Sequence, residues 1–300
     1  MNQKDLIRKI RELKKAKNAV ILVHNYQRPE IYDVADYIGD SLELALRAKK
    51  AKAKVIVFCG VDFMAESAKL LNPAKRVLLP DTDAKCPMAA MASAGKLRQK
   101  KTEYPGASVV AYINTNAATK AESDVCCTSA NFKEAVEAVS GREVIFVPDY
   151  NMAKYVQTKT RKKIIPWPGF CIVHDAVDPK AVKKLKWRHP KAKVIAHPEN
   201  PEDVLKLADC VCGTGGMIKY ALRSRAKEFI VVTEEGMCER LRREVKGKKF
   251  YPAAGACQNM KKTTLEKVYA CLRDGTNEVV VDGAVAEKAR RALDRMLKLK

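Results

Sequence analysis

The run VLLPDTDAKC (residues 77–86) carries an apolar strand into a proline and closes, six residues after Pro80, on Cys86. IIPWPGFC (164–171) and FYPAAGAC (250–257) repeat the device, each with five residues from proline to cysteine, at Cys171 and Cys257. The three cysteines stand 85 and 86 residues apart, and each precedes a segment able to form a helix. Such a repeat predicts three related units, each delivering one thiol to a common point. Three converging thiolates suit a metal centre that keeps one position open for substrate.

Outward from these loops, short β-rich runs alternate with helical patterns. AVILVHNY (19–26), KVIVFCG (54–60) and RVLLP (76–80) fall in the first third. SVVAYIN (108–114), DVCCT (124–128), EVIFVPD (143–149) and KIIPW (163–167) fall in the second. KVIAHP (193–198), DCVCG (209–213), EFIVVT (228–233) and KFYPA (249–253) fall in the third. The alternation reads as α/β with parallel sheets. We expect three similar α/β domains: 1–85, with the segment 258–300 docking back on it, then 86–170 and 171–257. Nothing resembling a low-complexity linker separates them.

Composition narrows the function classes. An apolar fraction of 47% is ordinary for a globular chain, and no apolar run has membrane-spanning length. MNQKDLIRKIRELKKAK (1–17) has helical spacing and charge instead of the apolar core of a signal peptide. Ten cysteines in that setting predict a reduced, cytoplasmic protein with no membrane partner. Cys59 and Cys271 sit in apolar runs and read as buried hydrophobes, as do the pairs Cys126–Cys127 and Cys210-x-Cys212. The net charge of +22 (57 basic, 35 acidic residues) attracts anions, but the lysines are spread along helices without interleaved aromatics. A solvated basic surface is the expected reading, and specific nucleic-acid binding is not expected.

Ligands of parallel sheets bind beyond the carboxyl ends of the strands. That rule selects His24, Asn25 and Tyr26, Tyr112 and Asn114, Thr128 and Ser129, His197 and Glu199, Thr214, and Thr233 with Glu234. His24 and His197 both end strands, where an imidazole can exchange protons near neutrality. His174, three residues after Cys171, can orient metal or substrate or serve packing alone; His189 is expected to be exposed. Glu199 can act as a base or as a histidine's partner, with Asn200 before Pro201 the expected helix cap. Backbone N–H groups of CGTGGMIKY (212–220), and the helix starts at Ser41 and at Ser129 in CTSAN (127–131), suit phosphate or carboxylate.

Spacing excludes a zinc finger or ribbon, whose ligands cluster locally, and a ferredoxin-type cysteine run. An iron–sulfur cluster with one iron not held by cysteine fits Cys86, Cys171 and Cys257. Such an iron polarises hydroxyl or carbonyl oxygens.

Together these residues closely resemble the quinolinate synthase family, the iron–sulfur enzymes of NAD (pyridine nucleotide) biosynthesis. The resemblance runs in order through HNYQ (24–27), GDSLELA (39–45), GVDFMAE (60–66), LNP (71–73), CPMA (86–89), AYINT (111–115), CTSAN (127–131), HPE (197–199), TEEGM (233–237) and NMKKTTLE (259–266). It implies three α/β domains in pseudo-threefold arrangement around one active site. It also implies a [4Fe–4S] cluster on Cys86, Cys171 and Cys257. The implied reaction is a condensing, dehydrating transfer: iminoaspartate and dihydroxyacetone phosphate give quinolinate, phosphate and two waters. By resemblance His197 and Glu199 move protons, and His24 and Tyr26 position and protonate the triose. Ser41, Asn114, Ser129 and Thr214 bind phosphate or carboxylates, and Tyr112 and His174 line the pocket. Transient channelling from an iminoaspartate-producing enzyme is the partner relationship implied.

Two positions depart from the family's usual pattern. Cys212 and Gly213 replace Gly-Ser before Thr214, and Asn200 replaces the cysteine of HPEC. Two rivals remain: another [4Fe–4S] hydro-lyase on the same scaffold, and a basic nucleic-acid-binding protein whose cysteines hold structural zinc.

Overall fold

Val, Ile and Leu dominate the apolar runs, and such runs are stable as strands covered on both faces. In a computed structural model of the chain, which describes residues 2–299, they form three four-stranded, all-parallel sheets. The ends of the expected units at residues 1 and 300 lie outside the described residues.

The first sheet contains β1 (Ala19–His24), β2 (Tyr37–Gly39), β3 (Val55–Cys59) and β4 (Arg76–Leu78). The second contains β5 (Ser108–Tyr112), β6 (Val125–Cys127), β7 (Glu143–Val147) and β8 (Lys163–Pro166). The third contains β9 (Lys193–Ala196), β10 (Cys210–Val211), β11 (Glu228–Val232) and β12 (Lys249–Pro252). Each sheet has the same order: second strand, first, third, fourth. The direction of winding therefore reverses between first and third strand in every unit, opening a crevice at their carboxyl ends. The last first-to-third pairings, Val23 with Cys59, Ala111 with Val147 and Ala196 with Val232, are equivalent. Register as well as order is thus repeated three times.

Helices cover the sheets because their sequences offer one apolar stripe and firm ends. In Gln3–Ala16 the Asn2 side chain accepts the Asp5 N–H at 2.9 Å, and Leu6 and Ile10 face inward. They meet Val268 and Leu272 of the helix Leu265–Asp274 in a core under the first sheet. Complete burial of a side chain such as Ile10 stabilises the fold by roughly 1.5–3 kcal/mol. Gly275, at φ +67°, stops Leu265–Asp274 in the left-handed conformation that glycine adopts without strain.

The first and second units share one continuous apolar core, whereas the third carries two smaller ones. On one side of the third sheet lie Ile195, Phe229 and Val231, and on the other Val194, Ala196, Ile230 and Val232. The segment expected to dock on the first unit divides its contacts. Leu265–Asp274 packs on Gln3–Ala16, but the helix Gly283–Lys298 lies mainly against Ala117–Ala121 and β6 of the second unit. Ala289, Ala292, Leu293 and Met296 enter the shared core there. None of the helices among the described residues is long and apolar enough to cross a membrane.

Candidate active site

One step past the last first-to-third pairing of each sheet stand His24, Tyr112 and His197, in equivalent positions. Two residues further on come Tyr26, Asn114 and Glu199. All six line one cavity. Cys86, Cys171 and Cys257 reach the same cavity from the loops after the fourth strands. Ser41, Ser129, His174 and Thr214 complete the wall. The structure thus brings together every residue given a site role from the sequence.

The thiols share one local geometry. The backbone N–H three residues ahead points at each sulfur: Ala89 toward Cys86, His174 toward Cys171, and Met260 toward Cys257. These donors favour anionic sulfur, but burial outweighs them. Burial pushes the Cys86 thiol up to about 12, with smaller contributions from Glu199 and Cys257. Cys171 lies well above the ordinary thiol range through burial and then Glu199, and burial raises Cys257 as well. Three converging protonated thiols with sulfur-directed N–H groups need a cation to ionise, so the donor set fits a thiolate-bound metal group. All three cysteines are free of disulfides.

Glu199 is the polar hub of the cavity. The Tyr112 hydroxyl donates to its Oε1 at 2.6 Å, and His174 Nδ1 lies 2.8 Å from its Oε2. Burial raises this carboxyl, but His197, His174 and the Tyr112 hydrogen bond more than offset it and hold Glu199 ionised. His174 Nδ1 is also 3.1 Å from Cys171 Sγ, so Cys171, His174 and Glu199 form a compact donor group able to hold a metal ion. From His174 Nε2 a chain continues at 2.8 Å to the Thr233 hydroxyl, and from there at 2.7 Å to the Tyr26 hydroxyl. With Nδ1 donating to Glu199, Nε2 accepts from Thr233, which accepts from Tyr26.

His24 and His197 are alike in tautomer as well as position. Each ring accepts at Nδ1 the N–H two residues ahead, from Tyr26 at 3.2 Å and from Glu199 at 3.4 Å. Each Nε2 therefore carries the proton. Burial lowers His24 to about 3 and His197 to about 4 despite the attraction of Glu199. Two neutral imidazole donors and one carboxylate can move protons to and from a bound molecule.

On the anion side, Asp40 caps the helix Ser41–Lys50, accepting the Leu42 and Glu43 N–H groups at 3.0 and 2.9 Å. Thr214 opens the helix Thr214–Arg223, and its hydroxyl accepts from Asn25 Nδ2 at 3.0 Å. A Cβ on Gly213 would stand 2.2 Å from Ser129 Oγ, so any larger residue there makes the Ser129 hydroxyl shift. The departure from Gly-Ser thus leaves Ser129 and the helix start in direct apposition.

Two sequence expectations need correction. Asn200 caps no helix, because Pro201 takes the cap position of Glu202–Leu205. Instead its buried Nδ2 donates to the carbonyls of His197 at 2.7 Å and Val232 at 2.9 Å, tying the ends of β9 and β11. His189 is half-buried, stacked on Tyr251 with ring centroids 3.7 Å apart. Cys59, Cys126, Cys127 and Cys271 are buried, as expected for packing, and Cys210 and Cys212 are half-buried with their sulfurs 3.7 Å apart.

The strand-end rule picked out Thr233 and Glu234 but gave them no role, and it passed over the carboxylates Asp62 and Asp149, which act with Glu234. Asp62, Asp149 and Glu234 accept the backbone N–H of Cys86, Cys171 and Cys257 at 3.1, 3.1 and 3.0 Å. Asp62 and Asp149 also follow the third strand of a sheet, so the same rule could have found them.

The sequence pattern of the Quinolinate synthetase A protein family matches residues 8–298 of the chain. A quinolinate synthase of Methanoregula boonei is 50% identical over 292 residues, 97% of each chain. That of Methanosarcina barkeri is 50% identical over 302 residues, covering 100% of this chain and 99% of the relative. One from Dehalococcoides mccartyi is 51% identical over 293 residues, 97% of each.

Proposed function

The chain belongs to the quinolinate synthetase A family, and on that premise we propose that it condenses iminoaspartate with dihydroxyacetone phosphate. The products are quinolinate, phosphate and two waters. Cys86, Cys171 and Cys257 would hold a [4Fe–4S] cluster, which when bound supplies a Lewis-acidic iron for a substrate oxygen. The observation that carries the reading is the meeting of three thiols from three units with His24, His197 and Glu199 on one cavity.

The protein's own groups divide the work by chemistry. Glu199, held ionised, takes protons from carbon or nitrogen as the ring forms. His197 and His24, neutral with Nε2 protonated, donate hydrogen bonds to oxygens that leave as water, and the proton taken up by Glu199 is returned to them. Tyr26, linked through Thr233 to His174, orients the triose and replaces a proton drawn from it. Ser41, Ser129 and the N–H groups starting Thr214–Arg223 receive phosphate or carboxylate, and Asn114 and Tyr112 fix the dicarboxylate end. Burial of the cavity keeps bulk water from the hydrolysable imine.

The test is to supply both substrates to protein purified without oxygen and follow quinolinate and phosphate together. Stoichiometric appearance of both supports the reading. Phosphate release without quinolinate, or neither product from metal-loaded protein, overturns it.

A further inference from the structure

Each unit ties its cysteine down in the same way, with residues that share no local sequence. The carboxylates stand in the loops GVD, VPD and VTE, immediately after β3, β7 and β11. Each accepts the N–H of the cysteine that follows the fourth strand of its own sheet and also ties the helix start beside it. Asp62 Oδ1 accepts the Phe63 N–H at 2.9 Å, Asp149 Oδ1 that of Met152 at 2.6 Å, and Glu234 Oε2 that of Gly236 at 2.8 Å. Helix capping explains the second bond only at Asp149, the N-cap of Tyr150–Gln157. It does not explain why the other partner is, three times, the cysteine 22 to 24 residues along the chain.

We propose that Asp62, Asp149 and Glu234 are positioning residues that fix the three thiols for one shared metal group. The inference rests on the cluster reading above. The cysteine loops belong to no strand or helix that would set their position, and a group held from three units tolerates little error in any one of them. A carboxylate rooted at the end of the third strand transmits the rigidity of the sheet to the thiol through one charge-assisted hydrogen bond. Glu234, a methylene longer than the aspartates, is itself held by Lys261 Nζ at 2.9 Å.

The experiment compares Asp62→Ala, Asp149→Ala and Glu234→Ala with Asp62→Asn, which keeps the single oxygen, Oδ1, that accepts both of the Asp62 bonds. The full chain is reconstituted anaerobically, and the loss of cluster absorption is timed after a chelator is added. Cluster-free protein is melted in parallel as a control on folding. The expected result is cluster loss about ten- to a hundredfold faster in the alanine variants, near-wild-type loss in Asp62→Asn, and little change in melting. Asp62→Ala keeps the test open should Asp149→Ala unfold, since Asp62 makes no bond to a residue three ahead. Alanine variants that hold the cluster as long as wild type overturn the inference, and so does an Asp62→Asn protein as labile as Asp62→Ala. Wild-type protein that takes up no iron and sulfide overturns the cluster reading itself, and this inference with it.

Discussion

The Tyr112 hydroxyl, at the end of β5 in the second unit, donates at 2.6 Å to Glu199 beyond β9 in the third. Two units thereby share one buried hydrogen bond at the centre of the cavity. It helps hold Glu199 ionised, alongside His197 and His174. Tyr112→Phe should therefore lower kcat about a hundredfold while KM changes little, the effect of losing one preorganised donor. Steady-state quinolinate formation checks this; a kcat within a few-fold of wild type would remove Glu199 from the chemistry.

Acid should loosen the site. Burial holds His24 and His197 neutral in the fold down to about pH 3 and 4, whereas an unfolded histidine takes a proton near 6.5. Between those limits the unfolded chain binds more protons, so stability falls as pH drops through 6.5. At pH 5 the loss is about 2 kcal/mol per histidine. Asp40, whose carboxyl burial pushes up, works in the opposite sense, so the informative quantity is a difference between variants. Melting of cluster-free wild type from pH 7.5 to 5 should be steeper than that of the His24→Asn, His197→Asn double variant; equal slopes would contradict the assignment.

Asn200 ties two strand ends beneath His197. Asn200→Ala removes both side-chain donors and should cost roughly 1–3 kcal/mol, a fall of several degrees in Tm. Asn200→Cys, restoring the residue common in the family, should fall with it because a thiol cannot supply two strong N–H donors. Thermal melting of the three proteins decides; an unchanged Tm would mean the bonds carry nothing.

Much of this was legible in the sequence, for physical reasons. Parallel strands covered on both faces must be continuous apolar runs, so β1, β3, β5, β7 and β11 stood out. Polar residues just past such runs have nowhere to go but the crevice, which selected His24, Tyr112, His197 and Glu199. What remained hidden depends on neighbours distant in sequence. Nothing near Asp62 and Asp149 in the sequence says that the cysteine loops fold onto them. Asn200 preceded a proline, as a cap would, yet its donors face two strand ends. The stripe of Ala289, Ala292, Leu293 and Met296 announced a buried face, but only the fold shows that it covers the second unit more than the first.

Gly213 sets the anion side. Gly213→Ala should displace Ser129 and raise KM for the phosphate-bearing substrate about tenfold, as expected for loss of a hydrogen bond to a charged group. Gly95→Ala, whose added Cβ meets no other group within 4 Å, should leave KM alone. Steady-state kinetics of the two variants check the difference; the same KM in both would mean Ser129 binds nothing.

Iron and acid-labile sulfide per chain, in protein purified without oxygen, test the central claim most directly. The account predicts about four of each in the wild type, and neither cluster nor quinolinate formation in Cys171→Ala. Zinc without sulfide in the wild type, or an active Cys171→Ala protein free of cluster, would contradict it.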